Sequence, residues 1–108
     1  MDRSEYVRLV LDAYRSTPGV AGVVRRADRV LAAHLHERGV PFETVENAFV
    51  LAASRRLVRP EGAAPLGMVR SLAYFSPVID EVLEFKVSSQ YFDYLRHRLK
   101  RASRSTQG

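Results

Sequence analysis

Basic and aromatic side chains are interleaved in "SSQYFDYLRHRLKRASR", near the C-terminal end of the chain. Residues 94–108 contain five basic side chains and no acidic one. Lys and Arg neutralise phosphates and tyrosine rings stack on exposed bases, so this composition is typical of nucleic-acid binding. The residues predicted to make these contacts are Tyr91, Tyr94, Arg96, Arg98, Lys100, Arg101 and Arg104. The alternative interpretation is that cations near a helix C-terminus only complement its dipole.

A second basic cluster consists of Arg25, Arg26 and Arg29, at the start of a predicted helix. Cations at that end oppose the helix dipole, whereas a phosphate group is favoured there. The cluster is therefore a second candidate nucleic-acid contact. The alternative is that these arginines pair with Asp28 or with other acidic side chains of the fold.

The net charge of +5 is carried by the second half of the chain. Residues 1–54 contain seven basic and seven acidic side chains, whereas residues 55–108 contain ten and five. A nearly neutral body with a basic end indicates an anionic partner. We expect nucleic acid as that partner, and DNA rather than RNA.

The stretch "ERGVPFETVENAF", residues 37–49, has the outline of a helix-turn-helix. A DNA-reading helix exposes donor-rich side chains near its N-terminus. Here that position holds Glu43 and Glu46, which repel phosphate, and Asn47 is the single side chain suited to a base edge. The pattern favours a structural helical hairpin over a helix-turn-helix that recognises DNA.

No residue set has the spacing of a catalytic or metal site. His34 and His36 point about 200° apart on a helix, so they cannot share an ion there. The chain has no cysteine and no Gly-rich phosphate loop. Asp80, Glu81 and Glu84 have no histidine beside them and read as a solvated acidic face. We expect no enzyme activity, no cofactor and no small-molecule substrate.

Helical spacing of apolar residues dominates the chain and predicts an all-α fold without a sheet. The predicted helices are 2–15, 24–38, 42–57, 68–82 with a break at Pro77, and one from residue 88 or 89 that frays beyond 101. The helix at 42–57 is apolar on nearly all sides, which predicts a compact orthogonal bundle of five to six helices around it. Residues 1–101 would form one domain and residues 102–108 a flexible basic tail.

The second helix is expected to turn Ala27, Val30, Leu31 and Leu35 towards the core.

The longest apolar run, "AFVLAA", is far shorter than the roughly 20 residues that span a bilayer. The first ten residues lack the apolar core of a signal peptide. We therefore expect a cytoplasmic protein with no membrane partner.

The stretches "GMVRSLAYFSPVIDEV" and "RGVP…VENAFVLAASRR" resemble parts of small helical proteins linked to bacterial plasmid, phage or transposon replication. Such proteins often carry an Arg-Ser-x-x-Tyr-Phe stretch followed by an apolar helix. The resemblance implies a mobile-element context, and it implies no named activity and no site residues.

A non-catalytic nucleic-acid-binding accessory protein is the function that these observations predict. The alternative is a protein-interaction module or homodimer with no nucleic-acid role. Tyr6, Tyr14, Tyr74 and Phe85 would supply the aromatic surface for such a partner.

Overall fold

A computed structural model describes the backbone of residues 1–85 and 89–107, and side chains within residues 1–84 and 90–102. Over these residues the chain forms five α-helices and a 3₁₀ helix, and no strand or sheet. In order they are α1 (Arg3–Ser16), α2 (Arg26–Glu37), α3 (Phe42–Leu57), the 3₁₀ helix (Leu72–Phe75), α4 (Ser76–Phe85) and α5 (Ser89–Gln107). The predicted all-α class is confirmed.

Helix α3 lies at the centre of the bundle, as its all-round apolar pattern predicts. It packs against α1, α4, α5 and the 3₁₀ helix. Its Phe49 ring meets Phe75 of the 3₁₀ helix edge to face, with ring centroids 4.8 Å apart. Tyr14 of α1 completes this aromatic centre, 6.1 Å from Phe75 and 6.4 Å from Phe49. The aromatic core therefore joins α1, α3 and the 3₁₀ helix.

The turn between α2 and α3 is a Schellman motif. Gly39 has a φ of 73°, in the left-handed region that favours glycine. Its N–H donates to the carbonyl of His36, and the Val40 N–H donates to that of Leu35, at 3.0 and 3.1 Å. Val40 and Leu35 are both buried, so the hydrophobic contact of the motif is also present. This hairpin is part of the core scaffold.

Two tyrosines expected on a partner surface are instead buried. Tyr6 is buried and its hydroxyl donates to the Val40 carbonyl at 2.8 Å, while burial raises the pKa of the phenol. Tyr14 is buried in the aromatic centre. Tyr74 remains about half exposed, and the side chain of Phe85 lies outside the described residues. Among the described side chains, Tyr74 is therefore the one member of the predicted aromatic partner surface that is exposed.

Helix α2 turns a different face to the core from the one predicted. Asp28, only 2% exposed, lies inside, and Val30, 60% exposed, lies outside. Oδ1 of Asp28 accepts the backbone N–H of Leu72 at 2.9 Å, and Oδ2 accepts that of Arg25 at 2.8 Å. A buried carboxylate needs such donors, and Leu72 supplies one that is not visible in the local sequence. The expected inner position of Ala27 and Val30 is therefore wrong.

The helix predicted from residue 68 begins later, at Leu72. Before it, Val69 forms an isolated parallel bridge with Val20. The Val69 N–H donates to the Gly19 carbonyl at 2.8 Å, and the Ala21 N–H donates to the Val69 carbonyl at 2.9 Å. The predicted break at Pro77 is present, because the 3₁₀ helix ends just before α4. Pro77 lies in the first turn of α4, where its missing N–H is tolerated.

Candidate nucleic-acid interface

Helix α5 docks on α3 through one apolar face, which fixes the direction of its basic side chains. Phe92, Leu95 and Leu99 are buried on that face. The helix begins at Ser89, one of the two predicted starts, and its backbone continues to Gln107. Of the other α5 side chains within residues 90–102, Arg96 and Ala102 are half-buried and the rest are exposed.

Four of the predicted contact residues share one exposed stripe, here called the α5 stripe. They are Tyr91, Tyr94, Arg98 and Arg101, spaced 3, 4 and 3 residues apart, which places them on one side of a helix. All four are exposed, and Tyr94 is 53% exposed. The Arg98 guanidinium carbon lies 6.0 Å from the centre of the Tyr94 ring, at cation–π distance. Cations and aromatic faces thus lie side by side along α5.

Arg96 does not belong to the α5 stripe, although it was predicted to contact nucleic acid. Its Nη2 donates to Oδ1 of Asn47 at 2.8 Å and lies 3.2 Å from Oε1 of Glu46, both on α3. Its Nη1 donates to Oδ1 of Asp93 at 3.0 Å. Arg96 is thereby committed to holding α5 against α3.

Asn47, the one predicted base-reading side chain of α3, is turned away from solvent. It is 8% exposed, and its oxygen accepts the hydrogen bond from Arg96. No base edge can reach it without opening the contact between α3 and α5. The hairpin at residues 37–49 therefore has the geometry of a structural element.

Lys100 lies on a different side of α5 from the stripe. It lines a groove of about 500 Å³ between α1, α3 and α5, whose walls include Phe49, Val50 and Leu99. The side chain of Arg104 lies outside the described residues. The predicted basic surface of α5 is thus divided into a stripe and a groove margin.

The second predicted cluster, Arg25, Arg26 and Arg29, is exposed at the start of α2. Helix α2 packs against α1 and the 3₁₀ helix, whereas α5 packs against α3. The two basic clusters therefore belong to separate helix pairs. Sequence reasoning missed the exposed apolar face that accompanies this cluster, because it placed Val30 in the core.

Two basic side chains at the end of α3, Arg55 and Arg56, are bonded to other parts of the fold. Both guanidinium nitrogens of Arg55 bind the Glu81 carboxylate, with Nη1 donating to Oε2 at 2.8 Å. This hydrogen bonding lowers the pKa of Glu81 and raises that of Arg55. Arg56 donates to the Gly67 carbonyl at 2.6 Å, and its guanidinium lies over the Tyr74 ring. These cations stabilise α4 and the loop that follows α3.

Groups of possible metal ligands and helices able to span a membrane are both absent from residues 1–85 and 89–107. That part of the chain has no group of three or more His, Asp or Glu side chains able to hold a metal ion. None of its helices combines the length and the apolar character that crossing a bilayer requires.

Comparison with protein-family models, with curated proteins and with solved structures found no match to this chain.

Proposed function

We propose that this protein is a non-catalytic nucleic-acid-binding accessory that contacts DNA through the α5 stripe. The observation that carries the proposal is the alignment of Tyr91, Tyr94, Arg98 and Arg101 on one exposed side of α5. Arg55 and Arg96 bond acidic or amide oxygens and are not part of the proposed contact surface. A bacterial mobile-element setting is supported only by the resemblance of residues 67–82 and 38–56.

The chemistry of the stripe suits a strand with accessible bases. Arg98 and Arg101 neutralise phosphates, while Tyr91 and Tyr94 offer flat faces on which bases stack. The contact between Arg98 and the Tyr94 ring holds the guanidinium beside the stacking surface. At 1.5 Å per residue the stripe is about 15 Å long, enough for several phosphates along one strand.

A salt titration tests the electrostatic half of the proposal. Labelled single-stranded DNA, duplex DNA and RNA would be titrated with protein at several salt concentrations, with fluorescence anisotropy as the readout. Changing Arg98→Gln together with Arg101→Gln should flatten the log–log salt slope for single strands by about 1.4, which is about 0.7 for each lost phosphate contact.

The matched control removes the same two charges elsewhere. Arg8→Gln together with Arg70→Gln changes two exposed arginines outside α5 and should leave the slope near that of the wild type. Equal flattening by both pairs would show that net charge, and not the stripe, drives binding. Absence of wild-type binding at low salt would refute the proposal.

The stacking half is tested by changing Tyr91 and Tyr94 to Leu. Each lost stacking contact should weaken single-strand binding by about 1–3 kcal/mol and leave the salt slope unchanged. Because both rings are about half exposed, the fold should tolerate the substitutions.

A second candidate function, docking of a protein partner, is favoured by the groove between α1, α3 and α5. Its walls are mostly apolar and include Ala13, Phe49 and Leu99, and Lys100 lies at its margin. A wild-type protein that binds no nucleic acid at low salt would favour this second function.

A further inference from the structure

The outer face of α2 has a charge pattern that the α5 stripe does not explain. Arg26, Val30, Ala33 and Glu37 are spaced 4, 3 and 4 residues apart, so they form one line along the helix, here called the α2 stripe. Arg26, Val30 and Glu37 are exposed, and Ala33 is half-buried. The stripe is basic at one end, apolar in the middle and acidic at the other end.

Shallow depressions flank Val30 on both sides. One, of about 450 Å³, is lined by Arg3, Arg29 and Glu37 among others, and a second, of about 490 Å³, is lined by Ala27, Leu31 and His34. Depressions beside a ridge of side chains are the surface into which a second helix packs. The small side chain of Ala33 would allow a close approach.

The two charged ends of the α2 stripe cannot neutralise each other within one molecule. Arg26 and Glu37 are eleven residues apart, which is about 16 Å along the helix axis. Within residues 1–85 and 89–107, Arg26 makes no ion pair. Glu37 has no Lys or Arg nitrogen within 4.0 Å among the described side chains, and Nδ1 of His34 lies 4.0 Å from its carboxylate. Both ends therefore remain open to a partner.

We propose that the α2 stripe is an interface with a second copy of this chain. Antiparallel packing about a twofold axis places Arg26 opposite Glu37 of the partner subunit and Val30 opposite Ala33 of the partner subunit. The same axis generates the reciprocal pairs, as an isologous interface requires. Each charge meets its opposite, and the apolar centre is covered.

Other occupants satisfy only one end of the stripe. A nucleic acid would neutralise Arg26 and Arg29 but would bring phosphate towards Glu37. A uniformly acidic protein surface has the same defect, whereas the antiparallel copy matches both ends. Helix α2 is about 18 Å long, so the interface is smaller than the roughly 800 Å² per partner of a standard complex. The dimer should therefore be weak and dependent on concentration.

Sedimentation velocity over a concentration series tests the pairing through reversal of its charges. Arg26→Glu places Glu against Glu across the axis, and Glu37→Arg places Arg against Arg. Each single variant should weaken the dimer by at least about tenfold, since two reciprocal pairs become repulsive. The double variant R26E/E37R should restore the dimer, because the pairs are then reversed and again opposite in sign.

These substitutions separate dimerisation from folding. An acidic residue at the start of α2 and a basic one at its end both favour the helix dipole, so neither should unfold the monomer. Val30→Glu should abolish the dimer while circular dichroism keeps the helical signal, because Val30 is exposed. Arg98→Glu, on the α5 stripe, is the matched control and should dimerise like the wild type.

A wild-type protein that stays monomeric throughout the series would overturn the proposal. So would a double variant that remains as weak as the single ones, or a Val30→Glu protein that still dimerises, because either result would place the interface elsewhere. The DNA affinity of the Arg26→Glu monomer, measured separately, shows whether the α5 stripe acts alone. The two proposals can therefore fail independently.

Discussion

Arg96 and Arg98 lie two positions apart on α5 and have opposite surroundings. Arg96 points towards α3 and bonds Asn47, whereas Arg98 points to solvent beside the Tyr94 ring. The same contrast occurs on α2, where Asp28 is buried and Glu37 is exposed. A charged residue of this chain therefore either bonds within the fold or faces solvent, according to the helix face that it occupies. Substitutions that treat the two faces alike should give unequal results.

The largest difference is expected between the two acids of α2. Asp28→Ala removes an acceptor shared by two backbone amides, and it leaves the Leu72 N–H unpaired in the core and the Arg25 N–H unpaired at the part-buried start of α2. Two charge-assisted hydrogen bonds, one buried and one part-buried, correspond to a loss of about 3 kcal/mol in the free energy of unfolding. Urea denaturation measures it, and Glu37→Ala, at low protein concentration, is the exposed control.

Glu37→Ala should change the free energy of unfolding by less than about 0.5 kcal/mol. The free energy of unfolding of Asp28→Asn should lie between those of Asp28→Ala and Glu37→Ala. The amide oxygen can accept one of the backbone hydrogen bonds, whereas the amide NH₂ faces the other donor. Equal stability of Asp28→Ala and Glu37→Ala would contradict the role given to Asp28.

An intermediate difference is expected between the two arginines of α5. Arg96→Met should lower the free energy of unfolding by about 1–2 kcal/mol, because the buried Asn47 oxygen loses its donor. Arg98→Met should change it by less than about 0.5 kcal/mol. For DNA affinity at low salt the order should reverse, with the larger loss in Arg98→Met. If both variants lost stability equally, the distinction between the two faces of α5 would be wrong.

The smallest difference is expected between the wild type and a variant that lacks the ion pair of Arg55 and Glu81. The hydrogen bonds from Arg55 lower the pKa of Glu81 below its ordinary value of 4.5. The stability that this pair contributes is therefore present above about pH 4.5 and is lost as the pH falls through the lowered pKa. The wild type should lose stability over that acid range more steeply than Glu81→Gln, as followed by urea denaturation at each pH.

The partner substitution checks the cause of that acid dependence. Arg55→Met should make the loss of stability at acid pH less steep, as Glu81→Gln does. The variant with both substitutions should show little further change. Only a small effect is expected, because exposed ion pairs contribute little. If the double variant still loses stability steeply as the pH falls, other carboxylates cause that loss.

Local spacing was sufficient to predict the parts of the fold and site whose partners are near in sequence. The all-round apolar pattern of α3 identified the central helix, and helical spacing identified a last helix that starts at residue 88 or 89. Tyr94 and Arg98 could be named as surface residues for the same reason. The α5 stripe is thus visible in the spacing, whereas its binding partner is not.

Long-range contacts explain what the sequence did not reveal. The rotation of α2 depends on Asp28 bonding Leu72, 44 residues later, and the inward position of Arg96 depends on Asn47, 49 residues earlier. Val69 leaves a helical pattern because its backbone pairs with the Gly19 carbonyl and the Ala21 N–H. Each of these contacts outweighs a local preference and cannot be read from its neighbours.

The bridge between Val20 and Val69, together with the bond from Leu72 to Asp28, has a consequence for the kinetics of folding. Most contacts of a helical bundle are local and form quickly, whereas contacts between distant residues require a long loop to close first. We expect closure of this loop to follow helix formation. In native-state hydrogen exchange, the amides of Ala21, Val69 and Leu72 should then open together, at a free energy close to that of global unfolding.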